Sequence, residues 1–285
     1  MYVGVDIGGT WLRIGGADDS SSAPIAGLSA PDIVARIREF CLGKKVEAIG
    51  VGVPGILDAG RRVILNTPNL HALNGFNLAD AIEAETGAKV FQENDTVMLM
   101  LNDIDRLGLN ADGVLLGVYI GTGLGSAVFI GGKPYSGKNA IGAELGHVPL
   151  YGKTAPCGCG NTGCAEAYVS GTYLEHLRTT NHPESNIARI FAAMSPLETD
   201  DYTEALAVTI AGAAQILDPH AIILGGGVAD MPGFPFDEIT RKVKAHTMKP
   251  YPSDSMTILR SPKAGDMSAG VRGAILFAHK NSSPV

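Results

Sequence analysis

Four side chains with the chemistry of metal ligands lie close together in the middle of the chain. They are His147, Cys157, Cys159 and Cys164, and they include three of the four cysteines. Thiolate sulfur and imidazole nitrogen are the ligands that tetrahedral Zn²⁺ prefers, and four protein ligands close its coordination sphere. The spacing therefore predicts a structural zinc site, which would brace the backbone and would not activate water.

Two other interpretations of these cysteines are a disulfide and a set of unrelated buried thiols. The residues after Met1 form neither a positively charged leader nor a cleavable apolar segment, and cysteines are few. This pattern predicts a cytoplasmic protein in a reducing compartment, where disulfides are rare. Zinc is therefore the favoured interpretation. Cys41 falls on an apolar helical stripe and is expected in the core.

Two carboxylates flank the expected zinc site: Glu144 precedes His147, and Glu166 follows Cys164. A zinc-bound imidazole uses one ring nitrogen for the metal, which leaves the other as an oriented N–H donor. One donor and two carboxylates, held rigidly, would form a surface able to bind several hydroxyl groups of a polyol. The alternative is that one of the carboxylates only orients His147.

A third carboxylate, Asp95, follows an expected strand at residues 89–92. Glu93-Asn94-Asp95 is expected to open a helix that continues to about residue 107 and ends at Gly108. Near a helix N-terminus, the macrodipole and the free N–H groups favour an ionised carboxylate, which suits a proton acceptor. The competing interpretation is that Asn94 or Asp95 only caps the helix.

Three glycine-rich turns follow apolar runs, a pattern typical of backbone that approaches a ligand closely. The first, Asp6-Ile-Gly-Gly-Thr10, offers a hard oxygen for Mg²⁺ and donors for phosphate, although Asp6 could serve only the turn. The second, Gly121-Thr-Gly-Leu-Gly125, repeats the first in the later half of the chain. The third, Gly225-Gly-Gly227, leaves backbone open to adenine or ribose, or simply makes a tight turn.

The repetition of the first turn by the second predicts a duplicated α/β domain with a nucleotide in the cleft between the copies. Apolar periodicity indicates the elements that must position these turns. Strands are expected on both sides of the first two turns and at residues 46–53, 89–92, 221–224 and 256–259. Helices are expected at residues 31–42, 201–217, 236–248 and 266–279, and a loop at residues 20–22. The polar turn at residues 66–70 offers amide groups that can form hydrogen bonds with hydroxyl groups, although turn formation alone would explain these residue types.

Size and charge narrow the class of protein. With 285 residues, 45% of them hydrophobic, the chain can bury a large core and is expected to form two domains. The expected small domain is residues 1–110 with a C-terminal helix at about 266–285, and the larger one is residues 111–265 with the zinc site. The net charge of −7 argues against nucleic acid as a partner. No apolar run has the length needed to span a bilayer.

Taken together, these motifs resemble those of the ROK family of sugar kinases and sugar-responsive repressors, over nearly the whole chain. The resemblance is carried by Asp6-Ile-Gly-Gly-Thr10, Glu93-Asn-Asp95, Gly121-Thr-Gly-Leu-Gly125, Glu144-Leu-Gly-His147, Cys157-Gly-Cys159 with Cys164-Ala-Glu166, and Gly225-Gly-Gly227. It implies an actin-like, hexokinase-like ATPase fold of the ribonuclease H-like type, in which two α/β domains close on a cleft. It also implies a homodimer.

The resemblance assigns a role to each candidate residue. It implies that Asp95 is the general base that takes the proton from the C6 hydroxyl of a sugar. Sugar contacts are implied for Asn94, Asp95, Glu144, His147 and Glu166, and Asn69 in the polar turn is a further candidate. Contacts with ATP and Mg²⁺ are implied for Asp6, Gly8, Gly9, Thr10, Gly121, Thr122, Gly123, Gly225, Gly226 and Gly227.

The reaction that the resemblance implies is ATP-dependent phosphorylation of an aldohexose at C6. Residues 66–70 and 225–235 are most similar to family members that phosphorylate D-allose, with D-glucose and N-acetylmannosamine as alternative substrates. Trp11 and Arg13 depart from the small or lysine residues commoner beside the first turn. A sugar-sensing transcriptional regulator is the alternative from another class. Such a regulator would need an added DNA-binding segment. The first expected strand begins at Tyr2, with no helix-turn-helix expected before it.

Overall fold

The chain forms two compact units in a computed structural model that describes residues 1–17, 19–68, 70–263 and 267–282. Unit 1 comprises Met1–Leu109, Ser136–Gly142 and Ala264–Val285, and unit 2 comprises Asn110–Tyr135 and Ala143–Lys263. Ser136–Gly142 thus lies with unit 1, although the predicted second domain runs through it. Among the described residues, no helix combines the length and the apolar character needed to cross a bilayer.

The chain forms twelve strands and nine α-helices within the described residues, and they include helices at residues 78–86 and 171–181 that the apolar pattern did not predict. The strands are β1 (Tyr2–Ile7), β2 (Trp11–Gly15), β3 (Ser20–Pro24), β4 (Ala48–Val53), β5 (Ile56–Leu57), β6 (Ile64–Asn66), β7 (Lys89–Asn94), β8 (Val114–Ile120), β9 (Leu124–Ile130), β10 (Lys133–Pro134), β11 (Ala221–Gly225) and β12 (Ile258–Arg260). The helices are α1 (Ala30–Cys41), α2 (Leu78–Thr86), α3 (Asp95–Leu107), α4 (Glu166–Val169), α5 (Gly171–Asn181), α6 (Ile190–Ala193), α7 (Pro196–Leu217), α8 (Phe236–His246) and α9 (Ala269–Ser282).

Unit 1 is built on a five-stranded sheet with the strand order β3-β2-β1-β4-β7. β1 pairs antiparallel with β2 and parallel with β4, which pairs parallel with β7. Successive residues of a strand face opposite sides of a sheet. Val3, Val5 and Ile7 of β1 therefore join the apolar core formed with α1 and α2, which also contains the buried Cys41 as predicted. Gly4 faces the other side, where α9 packs on β1 and β4 and contacts α3.

Unit 2 repeats this plan with the strand order β10-β9-β8-β11-β12. β8 pairs antiparallel with β9 across the second glycine turn and parallel with β11, which pairs parallel with β12. In both units a hairpin across a glycine-rich turn is extended by two parallel strands. This correspondence confirms the predicted duplicated α/β fold. The core of unit 2 lies between its sheet and residues of α5, α7 and α8.

Helix ends follow their capping residues closely. The side chain of Asn94 caps α3 by accepting the backbone N–H of Thr96 at 2.9 Å, and Gly108 ends the helix with a left-handed φ of 61°. α7 begins five residues earlier than predicted, at Pro196, because Ser195 and Glu198 form a capping box there. The first turn of α7 is polar and has no apolar periodicity, so the prediction from periodicity placed the first residue of the helix too late.

The predicted loop at residues 20–22 is wrong, because these serines belong to the edge strand β3, which pairs antiparallel with β2. Ser20, Ser21 and Ser22 are exposed, so the strand lacks the apolar alternation that marks a half-buried one. The predicted strand at residues 256–259 is displaced to β12. The predicted C-terminal helix is α9, and residues 264–266 at its expected start lie outside the described residues.

Two glycines let α9 approach its neighbours closely. A Cβ atom on Gly273 of α9 would lie 1.8 Å from the carbonyl oxygen of Met98 in α3, and one on Gly50 of β4 would lie 1.9 Å from that of Ala274. Backbone cannot move aside as a flexible side chain can. We expect Gly273→Ala to lower the free energy of unfolding by about 3 kcal/mol, the upper end of the usual cost of overpacking.

A matched control is Gly212→Ala, because Gly212 also lies inside a helix, α7, but a Cβ there meets no atom within 4 Å. We expect this variant to gain up to about 1 kcal/mol from helix propensity. Urea unfolding of the two variants beside the wild type measures both changes. Equal stabilities for the two variants would contradict the close approach of α9.

Candidate active site

The four predicted metal ligands of unit 2 lie together, with their donor atoms within 4.8 Å of one another. The sulfurs of Cys159 and Cys164 are 3.7 Å apart, and the sulfur of Cys157 is 3.6 Å from Nδ1 of His147. A tetrahedral zinc with ordinary bond lengths separates two sulfurs by about 3.8 Å and a sulfur from a nitrogen by about 3.6 Å. All four cysteines of the chain are free. The donor set therefore fits zinc and does not fit a disulfide.

Backbone hydrogen bonds hold the cysteine loop in this shape. The N–H of Cys157 donates to the carbonyl of Asn161 at 2.8 Å, and that of Gly160 donates back to Cys157 at 3.0 Å. Gly160 and Gly163 have φ values of 94° and 77°, which side chains disfavour. Burial, together with the neighbouring thiols of Cys159 and Cys157, raises the pKa of the Cys164 thiol to about 12. A divalent cation would supply the positive charge that thiolates need here.

His147 presents its two ring nitrogens to different partners. Nδ1 faces the cysteines, whereas Nε2 lies 3.9 Å from Oε2 of Glu144. Burial raises the pKa of the Glu144 carboxyl, His147 lowers it, and the carboxylate of Glu166 raises it. This division of the ring suits a metal ligand that also offers an oriented N–H donor beside a carboxylate.

Glu166 joins the cysteine loop to the second glycine turn. Its Oε2 accepts the backbone N–H of Leu124 at 2.8 Å, and its Oε1 lies 3.9 Å from the sulfur of Cys157. A Cβ atom on Gly123 would come within 2.3 Å of Oε2 of Glu166, so a side chain at this position would displace the Glu166 carboxylate. The expected zinc site and the turn at residues 121–123 therefore form one continuous structure in unit 2.

The second and third glycine turns are neighbours at the carboxyl ends of two parallel strands, β8 and β11. The N–H of Val228 donates to the carbonyl of Ile120 at 3.0 Å, and Gly226, with φ 93°, leaves no room for a Cβ against that carbonyl. Gly227 has no atom within 4 Å of its Cβ position. Ligands of α/β proteins commonly bind beyond the carboxyl ends of parallel strands.

Asp6 and Asp95 lie at one edge of the unit 1 sheet. Asp6, near the end of β1, pairs with Gly52 of β4, and the Cβ position of Gly52 is 3.6 Å from Cα of Asp95. Asp95 is the first residue of α3, as predicted. Gly52 thus lies between Asp6 and Asp95, which places both residues at the end of the sheet that carries the turn of Gly8, Gly9 and Thr10.

Arg13 accompanies Asp6 on the antiparallel strand, where the two residues stand opposite each other. Nη1 of Arg13 is 3.2 Å from Oδ2 of Asp6, whose side chain is 15% exposed. Burial raises the pKa of Asp6, whereas Arg13 and a hydrogen bond from Ser268 lower it. Arg13 thus places its guanidinium group beside the first glycine turn.

The other predicted sugar contacts have different outcomes. Asn94 is the N-cap of α3: its Oδ1 accepts two hydrogen bonds from Thr96, and its Nδ2 donates to the carbonyl of Gly55 at 3.2 Å. Asn94 therefore caps the helix, and its contact with a sugar stays a prediction. Asn69 lies outside the described residues.

A pair that sequence reasoning missed supports the start of α3. The carboxylate of Glu93 is 5% exposed, accepts the backbone N–H of Asn94 at 2.8 Å and lies 3.1 Å from Nε of Arg61. Arg61 also donates to the carbonyl of Ala140 at 3.3 Å. Burial raises the pKa of Glu93, whereas Asn94 and Arg61 lower it. No periodicity marks an arginine in a surface turn, so no sequence signal pairs it with Glu93.

We expect Arg61→Gln to lower the free energy of unfolding by about 2–3 kcal/mol at neutral pH, because it leaves a buried charge uncompensated. Without Arg61 the pKa of Glu93 rises further above the value of about 4.3 that it has in the unfolded chain. A carboxyl whose pKa is higher in the folded state costs stability as it ionises. The deficit should therefore be smallest below about pH 4 and grow as pH rises through the folded pKa.

Urea unfolding at several pH values measures this deficit. Adding Glu93→Gln to Arg61→Gln removes the buried charge and should recover most of the loss at neutral pH. A deficit that stayed constant with pH would show that charge compensation is not what Arg61 supplies.

Known proteins resemble the chain along almost its whole length. The family model described as the ROK family matches residues 2–281. An N-acetyl-D-glucosamine kinase of Aliivibrio fischeri is 30% identical over 309 residues, covering 99% of this chain and 100% of that protein. A ROK family glucokinase of Streptomyces griseus, solved with glucose and AMPPNP, is 26% identical with a TM-score of 0.79, covering 98% of this chain and 99% of that one.

A ROK family transcriptional regulator, a homologue of the E. coli MLC protein, shares the fold with a TM-score of 0.81 at 21% identity. The match covers 99% of this chain and 78% of the regulator. The structural likeness spans both units and confirms the predicted actin-like, hexokinase-like fold.

Proposed function

We propose, because this chain belongs to the ROK family and to the sugar kinases within it, that it transfers the γ-phosphoryl group of ATP to the C6 hydroxyl of an aldohexose. The observation that carries this proposal is the position of Asp95, the first residue of α3, at the end of the unit 1 sheet where Asp6 and the first glycine turn also lie. Phosphoryl transfer needs positioning and charge neutralisation more than covalent chemistry. Asp95 accepts the hydroxyl proton in this proposal.

The nucleotide is held by the glycine turns. The N–H of Gly8 bonds to the carbonyl of Trp11, and that of Gly121 bonds to the carbonyl of Gly123. These two glycines shape their turns, so phosphate contacts fall to Gly9, Thr10, Thr122 and Gly123. Gly227 is exposed and offers its backbone to the adenosine, beside the half-buried Gly226 and the buried Gly225. The glucokinase of Streptomyces griseus was solved with AMPPNP.

Asp6 is the residue that would hold Mg²⁺, because a carboxylate oxygen is the ligand that this ion takes in proteins. Mg²⁺ neutralises charge on phosphate oxygens during transfer. Arg13 would add a second positive group beside Gly8, 3.2 Å from Asp6. Zinc would be bound by the four ligands of unit 2, where it would have a structural role and no catalytic one.

The sugar meets the wall formed by Glu144, His147 and Glu166. Two carboxylates accept hydrogen bonds from hydroxyls, and Nε2 of His147 donates one. Asn94 contributes its remaining amide hydrogen. The active protein is a homodimer in this proposal.

D-Allose is our first candidate substrate, supported by residues 66–70 and 225–235, with D-glucose and N-acetylmannosamine after it. Allose and glucose differ at one hydroxyl, so discrimination comes from one or two hydrogen bonds whose loss leaves buried groups unpaired. The loss of such a hydrogen bond predicts that kcat/KM differs between D-allose and D-glucose by at least about tenfold.

A coupled ADP-release assay over these sugars, D-mannose and D-fructose tests the proposal. We expect ADP release with an aldohexose and none above background with its 6-deoxy analogue, which lacks the accepting hydroxyl. A larger kcat/KM for D-glucose or N-acetylmannosamine would replace D-allose as the substrate. Sugar binding without ADP release from any hexose would refute the kinase and favour the regulator.

A further inference from the structure

Arg61 lies in a turn of unit 1 whose shape is fixed by Asp58. The carboxylate of Asp58 accepts three backbone N–H groups, at 3.1, 2.7 and 2.7 Å, from Gly60, Arg62 and Val63. Within this turn Arg61 has a left-handed φ of 56°. Residues other than glycine rarely adopt this conformation unless the surrounding structure imposes it, and those that do are often found at functional sites. The turn therefore holds the backbone of Arg61 in a defined, strained conformation.

The same conformation recurs in the segment Ser136–Gly142, which belongs to unit 1 although its neighbours in sequence belong to unit 2. Ala140 in this segment has a φ of 61°, and Ala143, directly after the segment, has a φ of 70°. Besides these two and Arg61, Asp218 at the end of α7 is the only non-glycine residue with a positive φ in the described part of the chain. Backbone strain of this kind is thus concentrated in the turn and in this segment.

A hydrogen bond joins the strained turn to the strained segment. Nη1 of Arg61 donates to the carbonyl of Ala140 at 3.3 Å, while Nε of the same guanidinium lies 3.1 Å from Oε2 of Glu93. Charge compensation for the buried carboxylate of Glu93 needs only the second contact. A guanidinium can make both contacts because its donors point in fixed, different directions. Arg61 therefore does more than neutralise a carboxylate.

The segment leads directly to Glu144, one of the carboxylates proposed to bind the sugar. The N–H of Gly142 donates to the carbonyl of Ser136 at 2.8 Å, which closes the segment into a loop. On the other side of Glu144, the N–H of Leu145 donates to the hydroxyl of Ser126 at 3.1 Å. The backbone that carries Glu144 is therefore held on one side by this serine and on the other by the loop that the guanidinium contacts.

We propose that Arg61 is a positioning residue for sugar binding, because it holds the loop Ser136–Gly142 through the carbonyl of Ala140 and thereby fixes the position of Glu144. In the proposed function, on which this inference rests, Glu144 accepts hydrogen bonds from sugar hydroxyls. A mobile loop would have to be ordered when the sugar binds, and the lost conformational entropy would weaken the affinity. A loop that Arg61 already holds avoids that loss.

A double variant separates this role from the effect of Arg61 on stability. Arg61→Gln alone leaves Glu93 as an uncompensated buried charge. Adding Glu93→Gln removes that charge and keeps an oxygen that can accept the N–H of Asn94. The double variant then lacks the guanidinium that donates to Ala140. Circular dichroism melting verifies that it is folded and as stable as expected.

Arg62→Gln is the matched control for the double variant. Arg62 is the next residue of the same turn, and its guanidinium pairs with Asp80 and Glu83 of α2. The control therefore removes a neighbouring arginine and its ion pairs without removing a contact to the loop.

Trypsin digestion of the folded protein measures how firmly the loop is held. Lys138 in the loop is exposed, so cleavage after it reports local opening. We expect cleavage after Lys138 to be at least about tenfold faster in the double variant than in the wild type, because the lost hydrogen bond raises the population of the open loop. Arg62→Gln should be cleaved there at the wild-type rate. Mass spectrometry identifies the cleaved bond.

Isothermal titration calorimetry with D-allose, D-glucose and N-acetylmannosamine measures sugar binding without ATP. For the sugar that binds most tightly, we expect the dissociation constant to rise at least about tenfold in the double variant and to stay within about twofold in Arg62→Gln. In the ADP-release assay, KM for this sugar should rise by a similar factor while kcat stays within about threefold, because Asp95 is unchanged.

Unchanged sugar affinity and unchanged cleavage in the folded double variant would overturn this role of Arg61 and leave the kinase proposal intact. Faster cleavage without weaker sugar binding would also overturn it, because Arg61 would then fix the loop without positioning a sugar contact. So would sugar binding that Arg62→Gln weakens as much as the double variant does. Absence of ADP release would refute the kinase alone, since calorimetry and proteolysis need no ATP.

Discussion

Asp95→Asn is expected to reduce kcat by about 10²–10⁴-fold, the usual contribution of general acid–base catalysis. Asparagine keeps the size of the side chain but cannot accept the proton that leaves the sugar hydroxyl. The first helical position of α3 holds Asp95 at the sheet edge that also carries Asp6. The change removes a group that acts in the transition state, so KM for the sugar should change far less than kcat.

Initial rates of ADP release as a function of sugar and ATP concentration separate kcat from KM for this variant. The control is Asp105→Asn, in the same helix, where the carboxylate is 43% exposed and pairs with Arg272. This surface change should leave kcat within about twofold, because exposed ion pairs contribute little. Full turnover by Asp95→Asn with the best sugar would remove Asp95 from the role of base.

Loss of one cysteine from the expected zinc site is the second large effect. We expect Cys159→Ser to lose its metal and to reduce kcat/KM by more than about 100-fold, the upper end of what a lost supporting contact to a metal site costs. Cys159 is exposed, so serine leaves no cavity in the core. Without the metal, nothing would hold Nδ1 of His147 beside the cysteines, and the wall that binds hydroxyls would lose its shape.

Elemental analysis and thermal unfolding measure this effect. The wild type should carry one zinc per chain, and a strong chelator should lower its Tm because metal binding is coupled to folding. Cys41→Ala is the control: Cys41 is a buried thiol of unit 1, and its variant should keep the zinc and the kcat/KM of the wild type. Absence of stoichiometric zinc from a folded, fully active wild type would refute the structural zinc.

Low pH should weaken zinc binding at the same site, and the chemistry of the ligands gives the direction of this change. Thiolates and a neutral imidazole bind zinc, and each must lose its proton first, so metal affinity falls as pH falls. A strong chelator should therefore lower Tm less at pH values near 6 than near 8, because zinc that binds more weakly stabilises the folded chain less. Zinc content after dialysis at each pH provides the direct readout.

Features encoded within a few residues were predictable. The four expected zinc ligands lie within one short stretch, and a loop of that length can bring their donor atoms within 4.8 Å. Asn94 and Gly108 bound α3 because capping is a contact between near neighbours in sequence. The glycine turns were recognisable because they repeat, and their repetition revealed the duplicated fold.

Features that depend on distant partners were not predictable. β3 is a strand because β2 offers it hydrogen bonds, although its serines lack apolar alternation. Glu93 is stabilised by an arginine from a turn in another part of unit 1, and Ser136–Gly142 lies with unit 1 in spite of its neighbours along the chain. Nothing in the local pattern identifies such partners.

Residue types and short spacings were thus enough to identify a metal-ligand cluster, a helix-end aspartate and two similar glycine turns, because the contacts involved are local. Strand register and helix packing brought Asp95 and Asp6 to one end of the unit 1 sheet and brought Arg61 to Glu93. These arrangements join residues far apart in sequence, so their stability depends on the packing of the whole folded chain. A local sequence pattern therefore does not predict them.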